Sequence, residues 1–145
     1  MGVEDGEMTP IESRFLALSL LHRHHLFDWT FILTKTKRVC GRCWIPEKVI
    51  GLSQPVAAVN SAETVEQILL HEIAHALTGR REHDQEWREV AKRIGCRVLG
   101  PAVAINPVPG KWRFWCGDCR TVFYMYRRPR REMECGRGHR LEVMA

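Results

Sequence analysis

The pattern of hydrophobic and polar positions predicts a helix over residues 10–27, the first element of the chain. Its apolar side chains recur at intervals of three or four residues, the spacing of one helix face. They are Ile11, Phe15, Leu18 and either Leu21 or Leu26. Pro10 is tolerated in the first turn, where no intrahelical N–H bond is needed. This spacing predicts the first helix of the chain.

Two strand-like segments follow this helix. Residues 29–39 alternate in part and are rich in β-branched and aromatic side chains, and residues 49–52 form a second short apolar run. Polar turn residues around Gly41 and Pro46 separate the two segments. We therefore predict a small sheet of two or three strands.

Two further helices are predicted after the sheet. Residues 60–63 have the form of a capping box, and an apolar stripe then continues as far as Gly79, which suits a helix C-terminus. The stripe consists of Val65, Ile68, Leu69, Ile73, Ala76 and Leu77. The next helix is predicted to start after an N-cap at Asp84 and to stop at Gly95.

The organisation of the chain is indicated by residues 99–110, which contain three prolines and two glycines. This composition disfavours a regular helix or a central strand and predicts a linker. The predicted parts are a domain over residues 8–98, the linker over 99–110 and a small module over 111–145. The predicted fold class is α+β, with an N-terminal helix, a small β-sheet, a long helix and a following helix.

Composition narrows the class of protein. The chain has 145 residues and 45% hydrophobic content, which suits one compact domain and a small module. No apolar run approaches the roughly 18 residues of a membrane helix, and the first ten residues are acidic, unlike a signal peptide. We expect reduced cysteines, no membrane partner and a cytoplasmic location, associated with the nucleoid in a prokaryote or in the host cytoplasm for a virus.

The longer predicted helix contains the sequence His-Glu-Ile-Ala-His at residues 71–75. Side chains four residues apart share a helix face, so His71 and His75 can bind one metal ion, with Glu72 beside the position of a metal-bound water. The composition of the chain would produce only about 0.03 chance matches to this pattern. The alternative is a pair of surface or core histidines without metal. The pattern predicts attack of a zinc-bound water on a peptide bond, with Glu72 as general base.

A catalytic zinc ion usually has three protein ligands, and His83 is the predicted third. It follows His75 by eight residues, after a short loop, and stands at the entrance of the next predicted helix. The alternative is an exposed loop histidine, with Glu82, Asp84 or Glu86 as the substitute ligand.

The C-terminal module contains a second candidate zinc site. Two cysteines in a Cys-x-x-Cys pair are followed, fifteen residues later, by a cysteine and a histidine. These residues are Cys116, Cys119, Cys135 and His139. Their spacing predicts a structural Cys3His zinc ribbon, and the alternative is a tail without metal, either reduced or disulfide-bonded. Cys40 and Cys43 are interpreted as a packed pair of thiols rather than a further zinc site or a redox pair.

All of the net charge of +5 belongs to residues 111–145, which hold 9 Lys and Arg against 4 Asp and Glu. Such a basic segment is typical of a surface that binds a polyanion, above all nucleic acid. Arg127, Arg128, Arg130 and Arg131 are the predicted phosphate contacts, and a solvated turn is their alternative. Aromatic residues could stack on unpaired bases, although most are expected in the ribbon core. They are Trp112, Phe114, Trp115, Phe123, Tyr124 and Tyr126.

The sequence resembles the SprT-like (SprT/Spartan) family of zinc metallopeptidases. The resemblance is carried by residues 71–79, His83 and residues 86–96, preceded by residues 41–44 and 49–53, which look like strands of the family. It implies a zincin-like domain with three histidine ligands and a glutamate base, and often a C-terminal zinc ribbon. For the best-known members it also implies cleavage of proteins on DNA. The ribbons of the family more often end in a cysteine pair, whereas this chain has His139.

These observations predict a zinc-dependent metalloendopeptidase with one catalytic and one structural zinc ion. The expected partners are a protein substrate and DNA, and the expected role is cleavage of DNA-associated or DNA-crosslinked proteins, as in DNA–protein crosslink repair. One alternative is a zinc-stabilised nucleic-acid-binding protein without protease activity. Another is a general zinc peptidase that is not targeted to DNA. The sequence does not define an oligomeric state.

Overall fold

A computed structural model gives the chain an α+β fold with two small sheets, and it describes residues 8–97 and 105–144. The chain divides into two units, the first ending at Asn106 and the second beginning at Pro107. The described elements of the first unit are α1 (Pro10–Arg23), β1 (Thr30–Thr34), β2 (Gly41–Trp44), β3 (Val49–Ser53), α2 (Gln54–Ala57), α3 (Ala62–Thr78) and α4 (Gln85–Arg93). Those of the second are β4 (Trp112–Cys116), β5 (Thr121–Met125) and β6 (Glu142–Val143).

The sheet of the first unit has β3 at its centre, parallel to β1 on one side and antiparallel to β2 on the other. The prediction of a turn around Gly41 was wrong, because Gly41 is the first residue of strand β2. A Cβ at this position would stand 3.0 Å from Cγ2 of Ile68 and 3.1 Å from Cγ of Glu72. Glycine therefore lets β2 approach α3 closely, beside the residues of the His-Glu-x-x-His sequence.

Helix α1 ends at Arg23 rather than at residue 27. Of the apolar side chains that predicted it, Leu21 and Leu26 are buried, whereas Ile11 and Phe15 are 82% and 75% exposed and Leu18 is 48% exposed. The buried face consists of Ser13, Ala17, Leu20 and Leu21, and the helix packs against α3 and β1. Apolar spacing alone does not reveal this face, because Ser13 and Ala17 add little to an apolar pattern.

The ends of α3 and α4 follow from capping residues. The N-cap of α3 is Ser61, whose Oγ accepts a hydrogen bond from the backbone N–H of Thr64, so the predicted capping box is displaced by one residue. At the other end Gly79 adopts a left-handed conformation with φ of 65°, which confirms the predicted stop. Asp84 caps α4 as predicted, by accepting the N–H of Trp87 at 2.9 Å.

The second unit is a sheet in which β4 lies between β5 and β6. Its small core contains Phe114, Cys116, Cys135 and Leu141. Of the predicted linker, residues 99–104 lie outside the described residues, and residues 105–110 form neither helix nor strand. Gly110 passes so close to the carbonyl oxygen of Met125 that a Cβ there would stand only 2.7 Å away.

Within residues 8–97 and 105–144, no helix is both long enough and apolar enough to cross a membrane.

Candidate active site and metal centres

Three histidine side chains converge where α3 meets the loop before α4. His71 and His75 lie one turn apart on α3, and His83 directly precedes the N-cap of α4. The Nε2 atom of His83 lies 3.0 Å from Nε2 of His71 and 3.1 Å from Nε2 of His75. The structure therefore brings together all three residues that the sequence singled out as catalytic zinc ligands.

The hydrogen bonding of His75 suits a metal ligand. Its Nδ1–H donates to the backbone carbonyl of Arg80 at 2.7 Å, so the proton resides on Nδ1 and Nε2 carries a free lone pair. That lone pair points into the space shared with His71 and His83. A tetrahedral zinc ion with Zn–N bonds of about 2.0–2.1 Å separates its nitrogen ligands by about 3.3 Å. The donor set therefore fits a single zinc ion.

Burial keeps the imidazoles of His71 and His75 neutral. Desolvation lowers the pKa of His71 to about 4, assisted by the neighbouring His75 and His83. The pKa of His75 is lowered as well, mainly by burial. Neutral imidazole is the form that binds metal, so both side chains are ready to act as ligands at neutral pH.

Trp87 is a residue of the site that the sequence analysis assigned no role. Its side chain is only 2% exposed, and its ring centroid lies 4.8, 5.2 and 4.6 Å from those of His71, His75 and His83. A rigid indole packed against all three rings limits their rotation. The sequence could have indicated this position of Trp87. An N-cap at Asp84 places Trp87 in the first turn of α4, close to His83.

Glu72 lies on the same helix and is 9% exposed. Burial raises the pKa of its carboxyl group to about 7, although the positive charge of Arg42 acts in the opposite direction. A carboxylate with a pKa near neutrality is well matched to accepting and returning a proton at physiological pH.

The second cluster lies in the second unit and contains the four predicted ribbon residues Cys116, Cys119, Cys135 and His139. The Sγ atoms of Cys119 and Cys135 are 3.9 Å apart, far beyond the roughly 2.05 Å of a disulfide. The Nδ1 atom of His139 lies 3.4 Å from Sγ of Cys119 and 3.3 Å from Sγ of Cys135. These separations suit three sulfur ligands and one nitrogen ligand around zinc.

Backbone N–H groups support the thiolate form in this cluster. The N–H groups of Arg137 and His139 each lie 3.4 Å from Sγ of Cys135, and that of Cys119 lies 3.4 Å from Sγ of Cys116. Desolvation opposes ionisation of Cys135, but the N–H groups of Arg137 and His139 and the neighbouring thiols outweigh it and lower its pKa to about 7. The pKa of Cys119 is instead raised to about 11, mainly by its contact with the Cys116 thiol. Thiolates are the form of cysteine that binds zinc.

Cys40 and Cys43 are both free and half-buried beside Glu72. Burial raises the pKa of Cys40, and it raises that of Cys43 to about 12, with a further contribution from the negative charge of Glu72. Neutral thiols of this kind are unreactive, as the interpretation of a packed pair requires.

The four arginines predicted to contact phosphate, Arg127, Arg128, Arg130 and Arg131, are all exposed. Three of them line an open groove of about 810 Å³ in the second unit, together with Trp112 and Arg140. The guanidinium of Arg128 and the ammonium of Lys111 lie about 6 Å from the ring of Trp112. Glu132 and Glu142 also line the groove, and Arg140 pairs with Glu132. The groove thus combines an aromatic ring with an excess of positive charges.

The first prediction concerns metal content. The zinc-loaded protein is expected to hold two zinc ions per chain, and His83→Ala and Cys119→Ser are each expected to hold one, because each removes a ligand from a different cluster. Elemental analysis after gel filtration measures the ratio. Glu72→Gln is the control and should retain two ions. Two tightly held ions in His83→Ala would contradict the assignment.

The second prediction concerns the stability of the metal-free protein. The pKa of Glu72 in the folded state, about 7, exceeds its ordinary value of 4.5, so its stabilising contribution is present below pH 4.5 and is lost as pH rises through 7. The free energy of unfolding of Glu72→Gln should therefore exceed that of wild type by about 3 kcal/mol at pH 8 and should equal it at pH 4. Urea titration followed by helical circular dichroism tests this, and a pH-independent difference would contradict it.

Two solved structures are similar to parts of this chain. The structure is similar to that of the metallopeptidase zymogen of Methanocaldococcus jannaschii jannalysin, with a TM-score of 0.51 and 15% identity, over 56% of this chain and 79% of that one. The metallopeptidase zymogen of Pyrococcus abyssi abylysin gives a TM-score of 0.46 and 23% identity, over 60% of this chain and 91% of that one. No curated protein matches significantly.

A family model gives the decisive match. The model described as the SprT-like family aligns with residues 12–107, which include all three clustered histidines and Glu72. Together with this cluster, the match supports a zinc metallopeptidase. Because it spans well over half of the sequence, the chain belongs to the SprT-like family.

Proposed function

We propose that this protein is a zinc-dependent metalloendopeptidase in which His71, His75 and His83 hold the catalytic zinc ion and Glu72 is the general base. The observation that carries the proposal is the convergence of three imidazole nitrogens beside a carboxyl group with a pKa of about 7. When bound, zinc supplies a Lewis acid that makes water more acidic and polarises a peptide carbonyl.

The residues of the chain perform the remaining steps. Glu72 accepts the proton that the attacking water loses, and it then returns that proton to the departing amine of the cleaved peptide. His75, fixed by its hydrogen bond to Arg80, keeps its lone pair directed at the metal position. Trp87 excludes water behind the three imidazoles and holds their rings in place.

We assign the second cluster to a structural zinc ion. The second unit has a core of four buried residues, two of them cysteines of the cluster. A unit this small buries too little apolar surface to fold alone, so metal binding would supply most of its folding free energy. The first unit thus carries the chemistry and the second a zinc ribbon.

We further propose that the substrates are proteins associated with DNA or crosslinked to it. The support comes from the groove of the second unit, where Trp112 lies beside Lys111 and Arg128 and where Arg130 and Arg131 are exposed. An aromatic ring can stack on an unpaired base while arginines contact phosphates. No core role accounts for these charged side chains.

The third prediction tests cleavage. The zinc-loaded protein should cut a DNA-binding protein faster when DNA is present, because both would be held on the same strand, and Glu72→Gln should reduce the rate at least about 100-fold. Gel electrophoresis over time, with and without single-stranded DNA, measures both effects.

The outcomes of this experiment separate the candidate functions. Cutting that is equal with and without DNA would contradict DNA targeting and favour a general zinc peptidase. Retained DNA binding without any cutting by zinc-loaded wild type would favour a zinc-stabilised nucleic-acid-binding protein. Full activity of Glu72→Gln would contradict its role as general base.

The fourth prediction concerns the groove. Arg130→Ala combined with Arg131→Ala should weaken binding to single-stranded DNA and lower the slope of log affinity against log salt by about one for each lost phosphate contact. Fluorescence anisotropy at several salt concentrations measures the slope. The matched control is Arg88→Ala combined with Arg93→Ala on α4, which removes the same charge from exposed positions of the first unit. Equal effects of the two pairs would show that only net charge matters.

A further inference from the structure

An apolar cavity of about 210 Å³ lies next to the candidate catalytic residues. Its lining residues come from three parts of the first unit: the start of β2, the centre of α3 and the segment just before residue 107. They are Cys40, Gly41, Ile68, His71, Glu72 and Ile105. The cavity is not explained by the zinc chemistry, which needs only His71 and Glu72 among these residues.

Gly41 lines the cavity where strand β2 meets helix α3. Gly41 has no side chain, and a Cβ there would press on Ile68 and Glu72 at 3.0 and 3.1 Å. The wall opposite α3 is therefore bare backbone beside the neutral thiol of Cys40. His71 and Glu72 form the polar edge, and the remaining surface is apolar. The cavity thus begins where the chemistry takes place and extends into apolar surroundings.

Ile105 is held in the wall by a clamp between two asparagines. The backbone N–H of Asn106 donates to Oδ1 of Asn60 at 2.7 Å, and Nδ2 of Asn60 donates back to the carbonyl of Asn106 at 2.9 Å. Nδ2 of Asn106 also donates to the carbonyl of Val59 at 3.1 Å. Asn60 is 1% exposed and donates in addition to the carbonyl of Val56 at 2.8 Å.

These hydrogen bonds hold the segment around residue 105 more firmly than a simple connection between two elements requires. The clamp joins residues 46 positions apart and uses both polar atoms of a buried side chain, so removing it would leave buried polar groups unpaired. Its effect on the site is to fix the position of the neighbouring Ile105. The segment around residue 105 is thereby a defined wall beside Glu72.

We propose that this cavity is a substrate subsite that receives an apolar side chain next to the scissile bond, and that Ile105 determines the size of side chain it accepts. The proposal rests on the proposed peptidase function and adds the substrate class. Asn60 and Asn106 are positioning residues, because they act through Ile105.

The volume and the lining define the preferred side chain. An apolar cavity of about 150 Å³ can bind benzene, so about 210 Å³ suits leucine, methionine or phenylalanine. An aspartate side chain would lose its hydration without gaining a partner among Cys40, Ile68 and Ile105, and a lysine could reach a partner only at the edge, at Glu72. Tryptophan would exceed the space while Ile105 is in place.

The test compares two isoleucine variants of the zinc-loaded full chain. Cleavage sites are first mapped by mass spectrometry of a peptide mixture, and peptides are then made with alanine, leucine, phenylalanine, tryptophan or lysine at each position flanking the cut. Wild type should prefer leucine and phenylalanine at one position by about 10-fold or more. Ile105→Ala should raise the relative kcat/KM for tryptophan there by about 10-fold. Ile11→Ala, on the exposed face of α1, is the matched control and should behave as wild type.

A binding measurement makes the result independent of turnover. Calorimetry with amino-acid hydroxamates bearing the same side chains should give the same order of affinity, and the same shift in Ile105→Ala. If wild type cuts no peptide but this order holds, the peptidase proposal fails and the subsite stands. Equal affinity for all side chains would overturn the subsite.

Two further outcomes decide the role of the segment. Asn60→Ala should weaken discrimination between leucine and tryptophan while zinc content stays unchanged, because it removes both hydrogen bonds to the backbone of Asn106 and frees Ile105 without touching the cavity lining. If Ile105→Ala instead accelerated every peptide equally, the segment would be a plug over the site and not a selective wall, and the proposal would be overturned.

Discussion

Three imidazoles meet on one side of α3, with Nε2 of His83 3.0 and 3.1 Å from Nε2 of His71 and His75, and the rest of the first unit is organised around this contact. Three imidazole nitrogens this close together form a donor set that a zinc ion can bind. The left-handed turn at Gly79 and the cap at Asp84 return the chain so that His83 reaches α3, and Trp87 packs against all three rings.

Around that centre, each neighbouring element contributes something that a peptidase needs. Strand β2 approaches α3 closely because Gly41 has no side chain, and this buries Glu72 enough to raise its pKa to about 7. Gly41, Glu72 and Ile105 also line the apolar cavity. The proposed base and the proposed subsite therefore lie together where an edge strand meets helix α3.

Local chemistry made much of the site predictable. Residues four apart share a helix face whatever the fold, so the pairing of His71 with His75 needed only a helix, and the cap at Asp84 and the stop at Gly79 follow short-range rules. The remaining features depend on tertiary packing and could not be predicted from local rules. The buried face of α1 depends on how closely Ser13 and Ala17 let it pack, and the true partner of Asn60 lies 46 residues away. Neither relation leaves a periodic signal in the sequence.

The first unit contains the proposed catalytic site, and the second contains a basic, aromatic groove. The central claim is that the three histidines of the first unit hold a zinc ion. The most direct measurement is anomalous diffraction at the zinc edge from crystals of the zinc-loaded protein. A strong peak within about 2.0–2.1 Å of Nε2 of His71, His75 and His83, with Glu72 beside it, is the predicted result. No peak there at saturating zinc, or a zinc ion from which His83 has moved away, would contradict the account.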